Sequence, residues 1–235
     1  MVKPHGRKTR QRVREILKSP NRQAALDQLE KIPDKQLVGH LFSHFYTPDE
    51  LIKFRSVTAM GFVGKRLAAG HMENARNLMR RLMWNLNDES GGIGWGSAEA
   101  MGEITGRSPA LAEEYASILF SFLDPKANYI DNPLLQQGVL WGIGTCVRAF
   151  PDKLTPHLAG LIGLFLDDRD ETKKAYAVRA LAGAAPPGPG SLPDHILADT
   201  KKIQLYTGWH FALTRICDLA RSGGDAQGQI RATSE

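Results

Sequence analysis

A repeat of about forty residues is the feature that most constrains how this chain folds. Four segments place small residues around one large apolar side chain, and their anchor positions are Gly61, Gly102, Gly142 and Ala182, spaced 41, 40 and 40 residues apart. Repeats of this length are typical of proteins built from stacked supersecondary units. Small anchors let neighbouring helices approach closely, which explains why glycine is kept inside a helix at a cost of about 1 kcal/mol relative to alanine.

Each of the first three anchor segments is followed by a second stretch with the apolar spacing of an amphipathic helix. These second stretches span residues 71–84, 109–123 and 153–166. No segment combines strand-like alternation with a hairpin turn in the way that predicts paired strands. The sequence therefore predicts an all-α fold, an α-solenoid of about four to six helix pairs.

The two ends of the chain depart from the repeat. Residues 1–18 are predicted to form a basic arm or first helix, residues 19–221 a single solenoid domain, and residues 222–235 a disordered polar tail. A solenoid must close its last apolar face. We therefore expect helices near residues 193–203 and 206–221 to form a C-terminal cap.

Two segments resemble a known repeat family. The stretch LAGLIGLFLDDRDE (residues 158–171), which runs into VRAL (residues 178–181), resembles the HEAT repeat, and specifically the PBS-lyase HEAT-like type. The stretch NDESGGIGWGSAEAMGEI (residues 87–104) is similar to an uncharacterised HEAT-like family of anaerobic sulfate-reducing bacteria. The resemblance covers residues 50–185 well and implies a HEAT-like fold with no assigned activity. HEAT-like modules in general bind proteins, so it also implies a protein or peptide partner.

The positive charge of the chain is concentrated at its N-terminus. Residues 1–18 carry seven basic side chains and one acidic side chain, which leaves a net charge of −1 for residues 19–235 out of a total of +5. Nucleic-acid grooves normally need basic residues concentrated on the binding surface. This balance argues against a broadly basic groove, and leaves the N-terminal arm as the place where phosphate or an acidic partner would bind.

Other features of the sequence bear on where the protein works. No apolar run approaches the roughly 20 residues that a membrane-spanning helix needs, so we expect no membrane partner. The basic N-terminus lacks the apolar stretch of a secretory signal. Cys146 and Cys217 lie far apart without a CxxC context, which favours reduced thiols. The sequence predicts a cytoplasmic protein.

The glycine-rich segment at residues 91–97 is the most unusual local feature. Its glycines permit close backbone approach, and it leads into a helix N-terminus whose amides could hold an anion or a partner's carboxylate. In that interpretation the binding residues are Asp88, Trp95, Ser97 and Glu99. The alternative is a structural turn, with Trp95 packed in the core, Ser97 as the N-cap and Glu99 facing solvent.

The second helix of each pair lines the concave face in HEAT-like stacks, and this resemblance selects a further group of residues. Arg76 and Arg80 lie four residues apart on one helix face, where they could clamp a carboxylate or phosphate bidentately. Trp84 follows four residues later. The alternative is a solvated helix face whose ion pairs contribute little.

The sequence offers no catalytic or metal-binding constellation. His40 and His44 are spaced for one helix face but lack the acidic residue of a zinc motif, and both cysteines are better explained by packing. We expect no cofactor, and the sequence favours a protein that is not an enzyme while leaving that question open. The leading hypothesis is a non-catalytic interaction scaffold. The alternatives are a nucleic-acid-binding protein resembling the HEAT-like DNA glycosylases in architecture, and a small-ligand or cofactor-binding protein with its site at residues 91–97.

Overall fold

The computed structural model describes residues 4–87, 94–184 and 192–224, and side chains from residue 7 onward. The described part is predominantly helical. Its helices are α1 (Pro4–Lys18), α2 (Arg22–Glu30), α3 (Asp34–Phe45), α4 (Glu50–Gly70), α5 (Met72–Leu86), α6 (Ser97–Thr105), α7 (Pro109–Ser121), α8 (Pro133–Ala149), α9 (Pro156–Gly163), α10 (Glu171–Ala184), α11 (Asp194–Leu197) and α12 (Ile216–Arg221).

Several helices begin where the sequence supplies an N-cap. The side chains of Asp49, Ser108, Asn132 and Thr155 accept hydrogen bonds from amides in the first turns of α4, α7, α8 and α9. Proline follows the cap in α7, α8 and α9, where its fixed φ suits the first helical turn. The predicted positions of the second helices are confirmed by α5 and α7. The third is shorter than predicted, because a 3₁₀ turn at Pro151–Lys153 precedes α9.

The repeats stack as two rows of helices. The inner row consists of α4, α6, α8 and α10, each of which packs directly on the next. In the outer row, α5 lies between α4 and α6, α7 lies between α6 and α8, and α9 packs on α10. We call this the inner row because its helices pack directly on one another and the second helices cover one side of it. The predicted all-α solenoid of stacked helix pairs is confirmed.

The anchor residues lie where inner-row helices meet. A Cβ atom added to Gly102 would lie 2.3 Å from the Cα of Gly142, and one added to Gly142 would lie 2.4 Å from the carbonyl oxygen of Ala98. A Cβ on Gly61 would lie 2.8 Å from the Cβ of Glu103. No side chain fits at such distances without moving a helix. The small anchors therefore set the spacing of the inner row, as the repeat predicts.

The N-terminal helices close one end of the stack. Helix α1 packs against α2, α3 and α4, and it buries Val13, Ile16 and Leu17. Arg7, Lys8, Arg12 and Arg14 are exposed. The helical part of the basic segment thus presents charge outward while its apolar face belongs to the core.

The C-terminal cap differs from the prediction of two helices. Residues Lys202–Thr207 and His210–Arg215 form antiparallel strands β1 and β2, paired from Lys202 with Arg215 to Thr207 with His210. The turn between them is Gly208-Trp209, and both residues have positive φ, 61° and 125°. Strands of six residues joined by a turn other than Asn-Gly or Asp-Gly give a weak sequence signal. The expectation of no paired strands is wrong here.

The hairpin formed by β1 and β2 lies across the inner row. The Tyr206 ring stacks on that of Phe54 in α4 with centroids 5.0 Å apart, and Phe211 meets Phe54 edge-on at 5.6 Å. At the tip, the indole Nε1 of Trp209 donates to the carbonyl oxygen of Ser19 at 2.8 Å. The chain's last elements thus reach back to its first helices over the inner face.

Candidate functional site

Two clefts open beside the hairpin on the inner face, one near the start of β1 and the other near the hairpin turn. The mixed-charge cleft has a volume of about 470 Å³ and is lined by the N-terminal halves of the inner-row helices, with polar residues Glu50, Lys53, Glu99, Glu171, Tyr176 and Lys202. The arginine cleft has a volume of about 140 Å³ and is lined further along the same helices, with polar residues Arg22, Thr58, Glu103, Arg107, Arg148 and Arg179. Residues of β1 line both clefts.

Glu99 is central to the mixed-charge cleft. Its carboxylate lies 3.5 Å from the Lys53 ammonium, and only 5% of the residue is exposed. A Cβ on Gly138 would lie 2.6 Å from Glu99 Oε2, so this glycine provides the room that the carboxylate needs. Burial, together with the nearby Glu99 charge, raises the pKa of Tyr176 above its ordinary value. The interpretation that Glu99 faces solvent is therefore wrong.

The arginine cleft is held by contacts between distant segments. Arg179 donates to the carbonyl oxygen of Trp141 at 3.0 Å and to the Thr145 hydroxyl at 3.1 Å. Arg148 donates to the carbonyl oxygen of Gly224 at 2.7 Å. Because these partners fix the side chains, the guanidinium groups are ordered before any ligand arrives.

The predicted residues around the glycine-rich segment are only partly described. Asp88 lies outside the described residues. Trp95 is half-buried and Ser97 is fully buried. The N-cap of α6 is Gly96, at φ 77°, and Ser97 is the first helical residue, so the expectation that Ser97 is the cap is wrong. A Cβ on Gly96 would lie 2.7 Å from the Phe45 ring, which explains why glycine precedes the helix.

Arg76, Arg80 and Trp84 lie together on the outward face of α5, in the outer row. Arg76 donates to both carboxylate oxygens of Glu114 at 2.8 and 2.7 Å. This hydrogen bonding raises the pKa of Arg76 above its ordinary value. Arg80 donates to Asn77 at 2.6 Å and also pairs with Glu73. Trp84 is 74% exposed.

The predicted site residues therefore form two groups rather than one site. Arg76, Arg80 and Trp84 (the α5 group) lie in the outer row, and the placement of the second helices on a concave face stays a prediction. The predicted clamp of a carboxylate by Arg76 does form, but the carboxylate is that of Glu114 within the same chain. Glu99 lies on the inner face, apart from the α5 group.

The residues of the arginine cleft are not among the binding residues predicted from the sequence. The sequence does contain a pattern that could have indicated them, because arginine recurs at the same position of successive repeats. These arginines are Arg66, Arg107 and Arg148, spaced 41 residues apart. Two of these three residues line the cleft. Arg22 and Arg179 have no such register, and only the fold places them beside the others.

His44 and both cysteines are buried, whereas His71, His157, His195 and His210 are exposed. Burial, assisted by the Arg10 charge, lowers the pKa of His44 to about 4. Cys146 and Cys217 are buried thiols, and burial raises the pKa of Cys146. Over residues 4–87, 94–184 and 192–224, no group of histidine, cysteine and acidic side chains is arranged to hold a metal ion. Over the same ranges, the helices are too short or too polar to cross a bilayer.

Comparison with known proteins gives a distant relative. No family model matches the sequence. The chain is 28% identical over 195 residues to an uncharacterised protein of Archaeoglobus fulgidus, an alignment that covers 81% of this chain and 95% of that protein.

Two engineered proteins are among the solved structures that resemble this chain. A designed armadillo repeat protein in complex with the peptide (KR)4 has a TM-score of 0.42 and 17% identity, covering 73% of this chain and 80% of that one. An engineered protein, structural genomics target OR329, has a TM-score of 0.41 and 14% identity, covering 75% and 79%. Because these TM-scores are low, the fold is assigned from the contacts between the helices of this chain. The protein is a helical-repeat solenoid whose inner face holds its own C-terminal hairpin.

Proposed function

We propose that this protein is a non-catalytic interaction scaffold that binds a protein or peptide segment on its inner face. The observation that supports the proposal is the hairpin itself. The inner row already holds an extended polypeptide segment along the solenoid, through aromatic packing and through a side-chain donor to a main-chain carbonyl group.

The contacts that hold the hairpin are of the kind that recognise an extended peptide. Arg55 Nε donates to the carbonyl oxygen of Trp209 at 2.8 Å, and the Arg55 guanidinium lies 5.3 Å from the centre of the Trp209 ring. The ring of Tyr206, in β1, stacks on the ring of Phe54, in α4. A partner segment lying beside the hairpin would find charged and polar side chains in the two clefts, which provide specificity, and the edge of a strand for main-chain pairing.

The alternatives have less support. Binding of nucleic acid along the solenoid needs a broad basic surface, and the chain beyond residue 18 has a net charge of −1. Binding of a small ligand at residues 91–97 stays a prediction, since residues 91–93 lie outside the described residues. We include in the proposal a HEAT-like repeat class and a cytoplasmic location, both of which come from the sequence.

Site-specific photo-crosslinking in native extract tests which face binds a partner. A photoreactive amino acid replaces Gln204, which is exposed on β1 and lines the mixed-charge cleft. The matched control replaces Asn77, which lies on α5 in the outer row. We expect a discrete crosslinked partner from position 204 and none from position 77.

Two other outcomes would contradict the proposal. Crosslinking from position 77 alone would place the partner on the face that carries Arg76, Arg80 and Trp84, and would contradict binding on the inner face. Crosslinks from neither position, in extracts where the protein is intact, would contradict the scaffold function.

A further inference from the structure

Four guanidinium groups from separate parts of the chain converge on the arginine cleft. Arg22 belongs to α2, Arg148 to α8 and Arg179 to α10, while Arg107 follows the end of α6. The cleft that they line has a volume of about 140 Å³, large enough for a tetrahedral oxyanion and its first attached group. Thr207 and Gly208 of the hairpin also line it, and Gly208 is exposed, so the cleft opens to solvent at the hairpin turn.

Aromatic rings orient the guanidinium planes. The Arg179 guanidinium lies 4.9 Å from the centre of the Trp141 ring. Arg107 and Arg22 both lie over Phe62, at 4.6 and 5.5 Å. Stacking on a ring holds the planar group while leaving its in-plane N–H donors directed at the edge, which suits bidentate recognition of an oxyanion.

The charges of the cleft favour a dianion. Four cationic side chains line it against the single carboxylate of Glu103. That carboxylate is engaged by Arg107 and accepts a hydrogen bond from the Thr58 hydroxyl at 3.3 Å. The Thr58 and Tyr206 hydroxyls share a further hydrogen bond of 3.1 Å. A carboxylate ligand would offer one charge and one pair of acceptors, whereas a phosphate offers about two charges and three terminal oxygens.

The geometry points to a binding site for a phosphate monoester in the arginine cleft. The ligand class is a phosphomonoester dianion, either on a small molecule or on a phosphorylated side chain. The assignment does not depend on the proposed scaffold function, because a free phosphomonoester would enter the same cationic cleft as a phosphorylated side chain. Its small volume of about 140 Å³ beside the hairpin distinguishes the cleft from an extended nucleic-acid groove.

Isothermal titration calorimetry of the full chain at low ionic strength tests the site. The probes are N-acetyl-phosphoserine methylamide, inorganic phosphate, N-acetyl-aspartate methylamide as the matched carboxylate, and a short single-stranded DNA. We expect the phosphoserine compound to bind more tightly than the aspartate compound, and its affinity to fall with added salt.

Arginine-to-glutamine variants locate the binding. Arg22→Gln and Arg148→Gln each remove one guanidinium, and we expect each to weaken phosphoserine binding about tenfold, the usual effect of losing a charge-assisted hydrogen bond. Arg80→Gln removes one exposed arginine from the outer row, and we expect it to change the affinity less than about twofold. Thermal unfolding checks each variant. If Arg148→Gln unfolds, Arg22→Gln decides, because Arg22 is partly exposed and lies at the start of its helix.

Several results would overturn the inference. These are no binding of the phosphoserine compound, equal affinity for the aspartate compound, or binding of inorganic phosphate alone. An equal loss of affinity in Arg80→Gln would also overturn it, since binding would then follow total charge. Tighter binding of the DNA, lost in the same variants, would reassign the cleft to nucleic acid.

Discussion

Arg55 shows how one buried side chain can join three parts of the chain. Its guanidinium donates to the carbonyl oxygens of Leu17, at the end of α1, and of Trp209, at the hairpin turn, both at 2.8 Å. Arg55 itself belongs to α4 and is 5% exposed. Trp209 has a φ of 125°, which is unfavourable for a bulky residue. The hydrogen bonds from Arg55 and to Ser19 help to keep Trp209 in that conformation.

Replacing Arg55 with alanine should destabilise the whole molecule. The change leaves two buried carbonyl groups without their charged donor, and we expect it to cost about 2–4 kcal/mol of unfolding free energy. Thermal unfolding followed by circular dichroism measures this, and Arg80→Ala, which removes only exposed ion pairs, should lower the melting temperature much less than Arg55→Ala. Equal melting temperatures for the two variants would contradict the role given to Arg55.

The anchor glycines provide a second test at the residue scale. Gly142→Ala places a Cβ 2.4 Å from a main-chain oxygen of α6, and separating the helices should cost roughly 1–3 kcal/mol. Gly160 lies in α9, and no atom lies within 4 Å of the position that a Cβ would take there, so Gly160→Ala should stabilise by about 0.5–1 kcal/mol. Chemical denaturation of both variants should therefore give changes of opposite sign. If Gly142→Ala leaves the unfolding free energy unchanged, the close packing of α8 on α6 is contradicted.

Among the secondary-structure elements, the sequence predicts the helices better than it predicts the hairpin that packs on them. Ser108 and Pro109 specify the start of α7 locally, and the repeat places the anchors. The hairpin is different, because Trp209 is held by Arg55, 154 residues away in the chain. The burial of Glu99 likewise depends on Lys53 and Gly138, which only the packing of three helices brings to it. Local patterns do not contain such contacts.

The contact between α1 and α3 should make stability depend on pH. His44 is buried in α3, and its pKa in the folded state is about 4, below its ordinary value of 6.5, because of burial and the nearby Arg10 charge. The unfolded chain then binds the proton more readily, so the contribution of neutral His44 is fully present above pH 6.5 and is lost as the pH falls towards 4.

Denaturation at pH 7 and at pH 4.5 measures this contribution. The wild-type chain should lose about 2–3 kcal/mol more than His44→Leu over that interval, because only the wild type takes up a proton at this position on unfolding. Other acidic groups contribute equally to both proteins and cancel in the difference. Parallel pH profiles for the two proteins would show that His44 titrates normally.

At the scale of the whole molecule, the hairpin changes what a helical-repeat solenoid offers to a partner. The inner face is divided into a mixed-charge cleft and an arginine cleft, while the outer row presents the Arg76–Glu114 ion pair and the exposed Trp84. Exposed ion pairs of this kind contribute little to stability or affinity. The chemistry best suited to recognition therefore lies on the inner face, and it depends on the hairpin remaining in place.

Amide hydrogen exchange of the hairpin tests that dependence most directly. An isolated two-stranded hairpin is at best marginally stable in water, so slow exchange of the β1 and β2 amides requires that the hairpin be held on the inner row. We predict slow exchange for those amides of β1 and β2 that donate across the hairpin in the wild-type chain, and faster exchange there in Arg55→Ala under conditions where α6 and α8 stay protected. Rapid exchange of these amides in the folded wild-type chain would contradict an inner face that holds an extended segment.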